Sequence, residues 1–376
     1  MPTPLPGSAN MRLADVVHGR DNNFHLLRLS AATAVLFSHS FPLSTGDARF
    51  EPLRATFGCT FGSLAVDLFF LISGMLVTMS LMRRDSAADF VRARFFRIWP
   101  GLIVAVLLTI LILGPAFTTA PLSTYFTSKD TARYLVYNVT LFKGVAYVLP
   151  GVFAANPWPD AVNGSLWTLP SEVRCYVALL AAWALLRAVG VVRHFKWAVA
   201  LTWCALFAWH ILSMSHTTLE DSPARLWLMF CSGAAIYAFR DRVGLSPRWL
   251  VVALAAIALS ATTLTAGHGM AFGIVYSLAL PYVMLCAAYL PRGRILAFNR
   301  LGDYSYGTYI FAYPVQQSLM HLFPSLAPLP MFAAALCITL PLAVASWHFI
   351  EKPATDFARP KRKIAPPAIV STMPGS

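Results

Sequence analysis

Long apolar runs alternate with short polar segments along almost the whole chain. Ten runs are long enough to cross a bilayer: residues 24–43, 63–81, 98–117, 165–190, 195–213, 224–240, 249–266, 271–290, 301–323 and 328–350. A helix rises about 1.5 Å per residue, so about 20 apolar residues span the hydrocarbon core. The pattern predicts an all-α, polytopic integral membrane protein with about ten transmembrane helices. The fourth run is interrupted by Pro170, Glu172 and Arg174, and the ninth is rich in Tyr and Gln. Between the third and fourth runs, residues 118–164 carry only short apolar patches, suited to an interfacial helix or a re-entrant piece. There is no internal repeat.

Composition removes the soluble alternative. The chain is 57% hydrophobic and 12% charged, where a soluble domain carries about 25% charged residues. The net charge of +13 follows topology. Of the 29 Lys and Arg residues, 21 fall in alternate inter-run segments that include both ends of the chain, and six fall in the intervening ones. Cytoplasmic loops are enriched in Lys and Arg, so both termini are expected in the cytoplasm, and no nucleic acid is needed to explain the charge. The chain then divides into a cytoplasmic segment 1–23, a transmembrane domain 24–350 and a basic cytoplasmic tail 351–376. Residues 1–23 lack the apolar core of a signal peptide. Six cysteines at no ligand spacing predict neither a disulfide framework nor a metal site.

Ionisable residues inside apolar runs are costly and therefore informative. Arg28 and His39 share the first run with ten residues between them, which puts them about 16 Å apart along one helix. Topology places Arg28 towards the cytoplasm and His39 towards the outside. Asp67 lies near the outer end of the second run, and Glu172 is expected at a depth similar to that of His39. Arg94 and Arg97 enter the third run from the cytoplasm on one helical face.

Six motifs in order resemble the acyltransferase family 3 membrane proteins, which O-acylate bacterial glycans. They are Arg28-x10-His39; Val66-Asp67-Leu68-Phe69-Phe70 with Ser73-Gly74; Arg94, Arg97, Ile98 and Pro100; Leu166-Trp167-Thr168-Leu169 with Glu172 and Tyr176; Leu301-Gly302, Ser305-Tyr306 and Tyr309; and Glu351-Lys352-Pro353. The resemblance covers residues 24–356. One departure stands out. Many members have a His before the Pro of the ninth helix, where this chain has Ala312 and Tyr313.

The resemblance implies transfer of an acyl group, most simply acetyl, from cytoplasmic acyl-CoA to a carbohydrate hydroxyl at the outer side of a bacterial inner membrane. Acyl-CoA, as acetyl-CoA, is then a co-substrate rather than a resident cofactor. The partners are a carbohydrate or lipid-linked glycan and the membrane lipids. His39 can accept a proton near neutral pH and is the candidate general base, or a nucleophile forming an acyl-imidazole. Glu172 is expected to orient His39 or the acceptor. Arg94 and Arg97, with Arg28 assisting, suit the phosphates of the donor. Asp67, Ser73, Trp167 and Tyr176 are candidates for organising the site or binding the acceptor. The bland alternatives are an interhelical hydrogen-bonding His, a structural ion pair at Glu172, topological arginines and aromatic residues at the membrane interface. A different class, a transporter or flippase of a glycan or other polar solute, would line its path with the same charges.

Overall fold

In the computed structural model, residues 11–19, 21–262 and 269–359 are described. His268, expected to play no role, and the tail from residue 360 lie outside them.

The chain is all-α, and each of the ten apolar runs forms a helix. These are α1 (Phe24–Thr45), α2 (Phe61–Arg84), α3 (Ala87–Leu108), α5 (Thr168–Ala188), α6 (Phe195–Ser213), α7 (Arg225–Ala238), α8 (Pro247–Thr262), α9 (Gly269–Tyr289), α10 (Ser305–Leu322) and α11 (Pro328–Ser346). A further helix, α4 (Lys129–Thr140), lies in the segment between α3 and α5. Among the described residues, seven helical stretches have the length and apolarity to cross a membrane, and the protein is a multi-pass membrane protein. The remaining three runs fall short for visible reasons. The helices α7 and α8 are short, with 14 and 16 residues, and α10 carries Gln316, Gln317 and His321.

Side chains sort by what they face. α6 and α8 leave Trp197, Leu201, Leu212, Trp249, Val251 and Leu259 exposed, which suits contact with lipid chains. α2 and α7 lie at the centre and cross closely through small residues. A Cβ on Gly74 would fall 1.9 Å from the carbonyl oxygen of Phe230, and one on Gly233 would fall 2.1 Å from that of Leu71. Only glycine permits such backbone approach, and small residues serve the same purpose in membrane helix pairs generally.

The segment between α3 and α5 folds back onto the bundle. Asn156 donates to the Gln317 side chain at 2.7 Å, and Gln317 donates to the carbonyls of Trp158 and Ala161. Asn163 donates to the carbonyl of Ile310 at 2.9 Å. Tyr309, one turn into α10, donates to the carbonyl of Ser165 at 2.7 Å. The entry to α5 is therefore tied to the first half of α10, well below the far end of that helix at Leu322.

Candidate active site

The polar residues of the helices gather around two cavities. The first, of about 90 Å³, is lined by Arg28, Ser73, Arg94, Arg97, Glu172 and Tyr176 together with apolar side chains of α2 and α10. The second, of about 450 Å³, is lined by His39, Glu51, Arg54, Trp158, Trp167, Glu220, Arg225 and Tyr313, among others.

The arginines of the first cavity are not equivalent. Arg28 Nη1 reaches Asp303 Oδ2 at 2.5 Å, and Arg97 Nη2 reaches the same oxygen at 2.8 Å. Arg97 Nη1 also lies 3.3 Å from Glu351 Oε2. Asp303 is steadied by Ser305, and Glu351 by Ser346 at 2.9 Å. Two cations thus share two buried carboxylates. Arg94 has no carboxylate partner among the described residues. Its Nε is buried with no hydrogen-bond partner, and its guanidinium carbon lies 5.9 Å from the Tyr176 ring centroid. It is the arginine of this cavity left free to meet an incoming anion, and its planar fork suits phosphate.

Glu172 faces this same cavity. It accepts hydrogen bonds from Ser73 at 3.0 Å and from Tyr176, whose hydroxyls are themselves 2.9 Å apart. Counting along the run places Glu172 level with His39, but the structure does not bring the two together. α5 starts beside Tyr309, and the five residues from Trp167 to Glu172 carry the carboxylate about 7.5 Å along the helix to the arginine cavity. Trp167 and Tyr176, expected as a pair flanking Glu172, are separated for the same reason. Trp167 lines the His39 cavity and Tyr176 the arginine cavity.

His39 lines the second cavity with its ring edge against Tyr313, centroids 5.2 Å apart and planes at 78°. Tyr313 packs on the imidazole rather than bonding to it. Among the described residues His39 makes no hydrogen bond, and its Nδ1 is buried without a partner. An imidazole with no internal partner in a cavity of this size can take a proton from an entering hydroxyl.

Asp67 lines neither cavity. It is 1% exposed, accepts from Tyr276 at 2.8 Å and lies 3.6 Å from Arg225. It ties α2 to α7 and α9, and acts on the second cavity only through Arg225. Arg225, counted as an outer-loop cation from the sequence, is 2% exposed at the start of α7. His348, three residues before Glu351, has its Nδ1 2.9 Å from the Val344 carbonyl.

Several site residues were not singled out from the sequence. Asp303 sits inside the Leu301–Tyr306 motif as its only carboxylate, which was the available signal. Glu51, Glu220, Tyr147 and Trp158 come from loops, where spacing says nothing about which cavity a side chain will reach. Glu51 accepts a hydrogen bond from Ser38 and lies 3.5 Å from Arg54. Burial pushes its carboxyl up to about 7, against the opposing pull of Ser38 and Arg54.

The helical bundle thus holds a cationic cavity beside a histidine cavity. The profile of the family described as an acyltransferase domain matches residues 21–348. The chain belongs to this family, acyltransferase family 3, and is a membrane acyltransferase. It is 29% identical over 371 residues to an "O-acetyl transferase" of Shigella phage Sf6, covering 91% of this chain and 98% of that protein. It is 31% identical over 364 residues to "Nodulation protein 10" of Rhizobium leguminosarum bv. viciae, covering 89% and 94%. No solved structure is significantly similar.

Proposed function

We propose that this enzyme transfers an acetyl group from acetyl-CoA, held at the arginine cavity, to a hydroxyl of a carbohydrate or lipid-linked glycan held at the His39 cavity. The observation that carries the reading is the arrangement of the two cavities. They share two lining side chains, Val66 and Tyr309, and keep the anion-binding cations on one side and the free imidazole on the other.

His39 removes the acceptor hydroxyl's proton as the oxygen attacks the thioester carbon. The carbon–sulfur bond breaks, the new carbon–oxygen ester bond forms, and the proton passes to the departing thiolate to give the free thiol. Arg94 holds donor phosphate. Arg28 and Arg97, already neutralised in part by Asp303 and Glu351, keep the cavity mouth cationic without being consumed by the ligand. Trp167 and Trp158 offer aromatic faces to a sugar ring. The Lys and Arg bias supports ten spans with segment 1–23 and tail 351–376 in the cytoplasm, domain 24–350 between them, and residence in a bacterial inner membrane. A relative named an O-acetyl transferase supports the choice of acetyl.

The test uses purified protein in nanodiscs with acyl-labelled acetyl-CoA and a glycan extract. Label is expected on the glycan with the natural protein and absent with His39→Ala, while His39→Ala still binds acetyl-CoA. Equal labelling by both proteins overturns the role of His39. Movement of unmodified glycan across proteoliposomes with no labelling overturns the transfer reading.

A further inference from the structure

The two cavities meet at two side chains. Among the described residues only Val66 and Tyr309 line both. Val66 belongs to α2 and is 4% exposed, while Tyr309 belongs to α10 and is 6% exposed. Neither moves freely. Valine is β-branched and stiff about χ1. The Tyr309 hydroxyl donates to the Ser165 carbonyl at 2.7 Å and lies 2.8 Å from Thr168 Oγ1, and the ring stands edge-on to Phe69 with centroids 5.7 Å apart. Val66 and Tyr309 therefore stand between the arginine side and the histidine side.

We propose that Val66 and Tyr309 form a size filter that selects a two-carbon acyl group and rejects longer chains. The inference rests on the donor and acceptor sides assigned above. With phosphates at Arg94 and the attacking hydroxyl at His39, the carbon that changes partners must meet the hydroxyl at this partition. The chemistry itself is blind to chain length. For any acyl group one carbon–sulfur bond breaks, one carbon–oxygen bond forms, and the hydroxyl proton ends on the thiol. Discrimination must come from space. The donor-side cavity, at about 90 Å³, gives a longer chain little room to fold back. A tightly bounded apolar site distinguishes one methylene by about tenfold or more.

The experiment measures transfer from acetyl-, propionyl-, butyryl- and hexanoyl-CoA to one acceptor by the protein in nanodiscs, with acyl-CoA binding measured in parallel. The natural protein is expected to lose about tenfold in kcat/KM per added methylene. Val66→Ala, and independently Tyr309→Leu, should raise the butyryl-to-acetyl ratio by about tenfold or more. Val66→Phe should depress transfer of every acyl group while acyl-CoA binding persists. The persisting binding also shows that the variant has folded. An unchanged chain-length profile in both opened variants overturns the filter. Failure of the natural protein to transfer from any acyl-CoA overturns the donor assignment beneath it, a different and separately readable result.

Discussion

Arg28 and Asp303, 275 positions apart in the chain, meet at 2.5 Å where α1 passes the loop before α10. Arg97 closes on the same carboxylate oxygen from α3, so a single aspartate ties three helices together beside the arginine cavity. Asp303 is 5% exposed, and removing one partner of a buried ion pair leaves the other charge uncompensated at about 3–5 kcal/mol. Asp303→Ala is therefore expected to lower the unfolding midpoint in detergent strongly, with Asp303→Glu recovering part of the loss. Intrinsic tryptophan fluorescence during heating checks this, and an unshifted midpoint would show that the pairs are not structural.

Arg94 should behave differently because it has no carboxylate partner among the described residues to lose. A charge-assisted hydrogen bond is worth about 1.5–3 kcal/mol, so Arg94→Ala is expected to weaken acyl-CoA binding by about tenfold to a hundredfold at an unchanged unfolding midpoint. Arg97→Ala should lower both. Titration calorimetry beside thermal unfolding separates the two arginines. Unaltered binding in Arg94→Ala would reduce that residue to a topological charge.

Much of this was legible in the sequence, and what was not has a physical cause. The apolar runs predicted every long helix because the 20-residue scale of a bilayer is written directly in hydropathy. Arg28, Arg94 and Arg97 line one cavity, and the sequence could suggest this because a residue's place along an apolar run carries its expected depth. The same counting gave no sign that Glu172 and His39 would line different cavities. Depth was measured from the end of an apolar run, whereas the entry to α5 is set by Tyr309 and Asn163 reaching between α10 and the preceding segment. Asp303 was missed because nothing local shows that a loop carboxylate will lie between two arginines of other helices. Among the described residues three of the ten runs fall outside the seven long apolar helices because α7 and α8 are short and α10 buries Gln316 and Gln317 against neighbouring polar groups.

The position of Glu172 makes a kinetic prediction. Its carboxylate accepts from Ser73 and Tyr176 in the arginine cavity, the donor side of the proposed reaction. Glu172→Gln should therefore raise KM for acyl-CoA, leave KM for the acceptor as it is, and leave the limb of the pH–rate profile that reports the base unmoved. A rise in acceptor KM, or a displaced limb, would instead link Glu172 to His39.

Glu51 predicts a pH dependence of stability. Its carboxyl is raised from an ordinary 4.5 to about 7 by burial, with nearby Glu220 pushing the same way. The folded protein then holds a proton on Glu51 that the unfolded chain has already released over the interval between those values. A group with a raised acidic pKa costs nothing below about 4.5 and destabilises progressively as pH climbs through about 7. At 1.36 kcal/mol per unit, the cost reaches at most about 3 kcal/mol. Glu51→Gln keeps an acceptor for the Ser38 hydroxyl and cannot ionise. Its unfolding midpoint in detergent should stay level from about pH 5 to about pH 8 and exceed that of the natural protein at the alkaline end, while the natural protein declines up to about pH 7 and levels off above it. Parallel curves for the two proteins would mean that Glu51 is ionised and paired with Arg54 throughout.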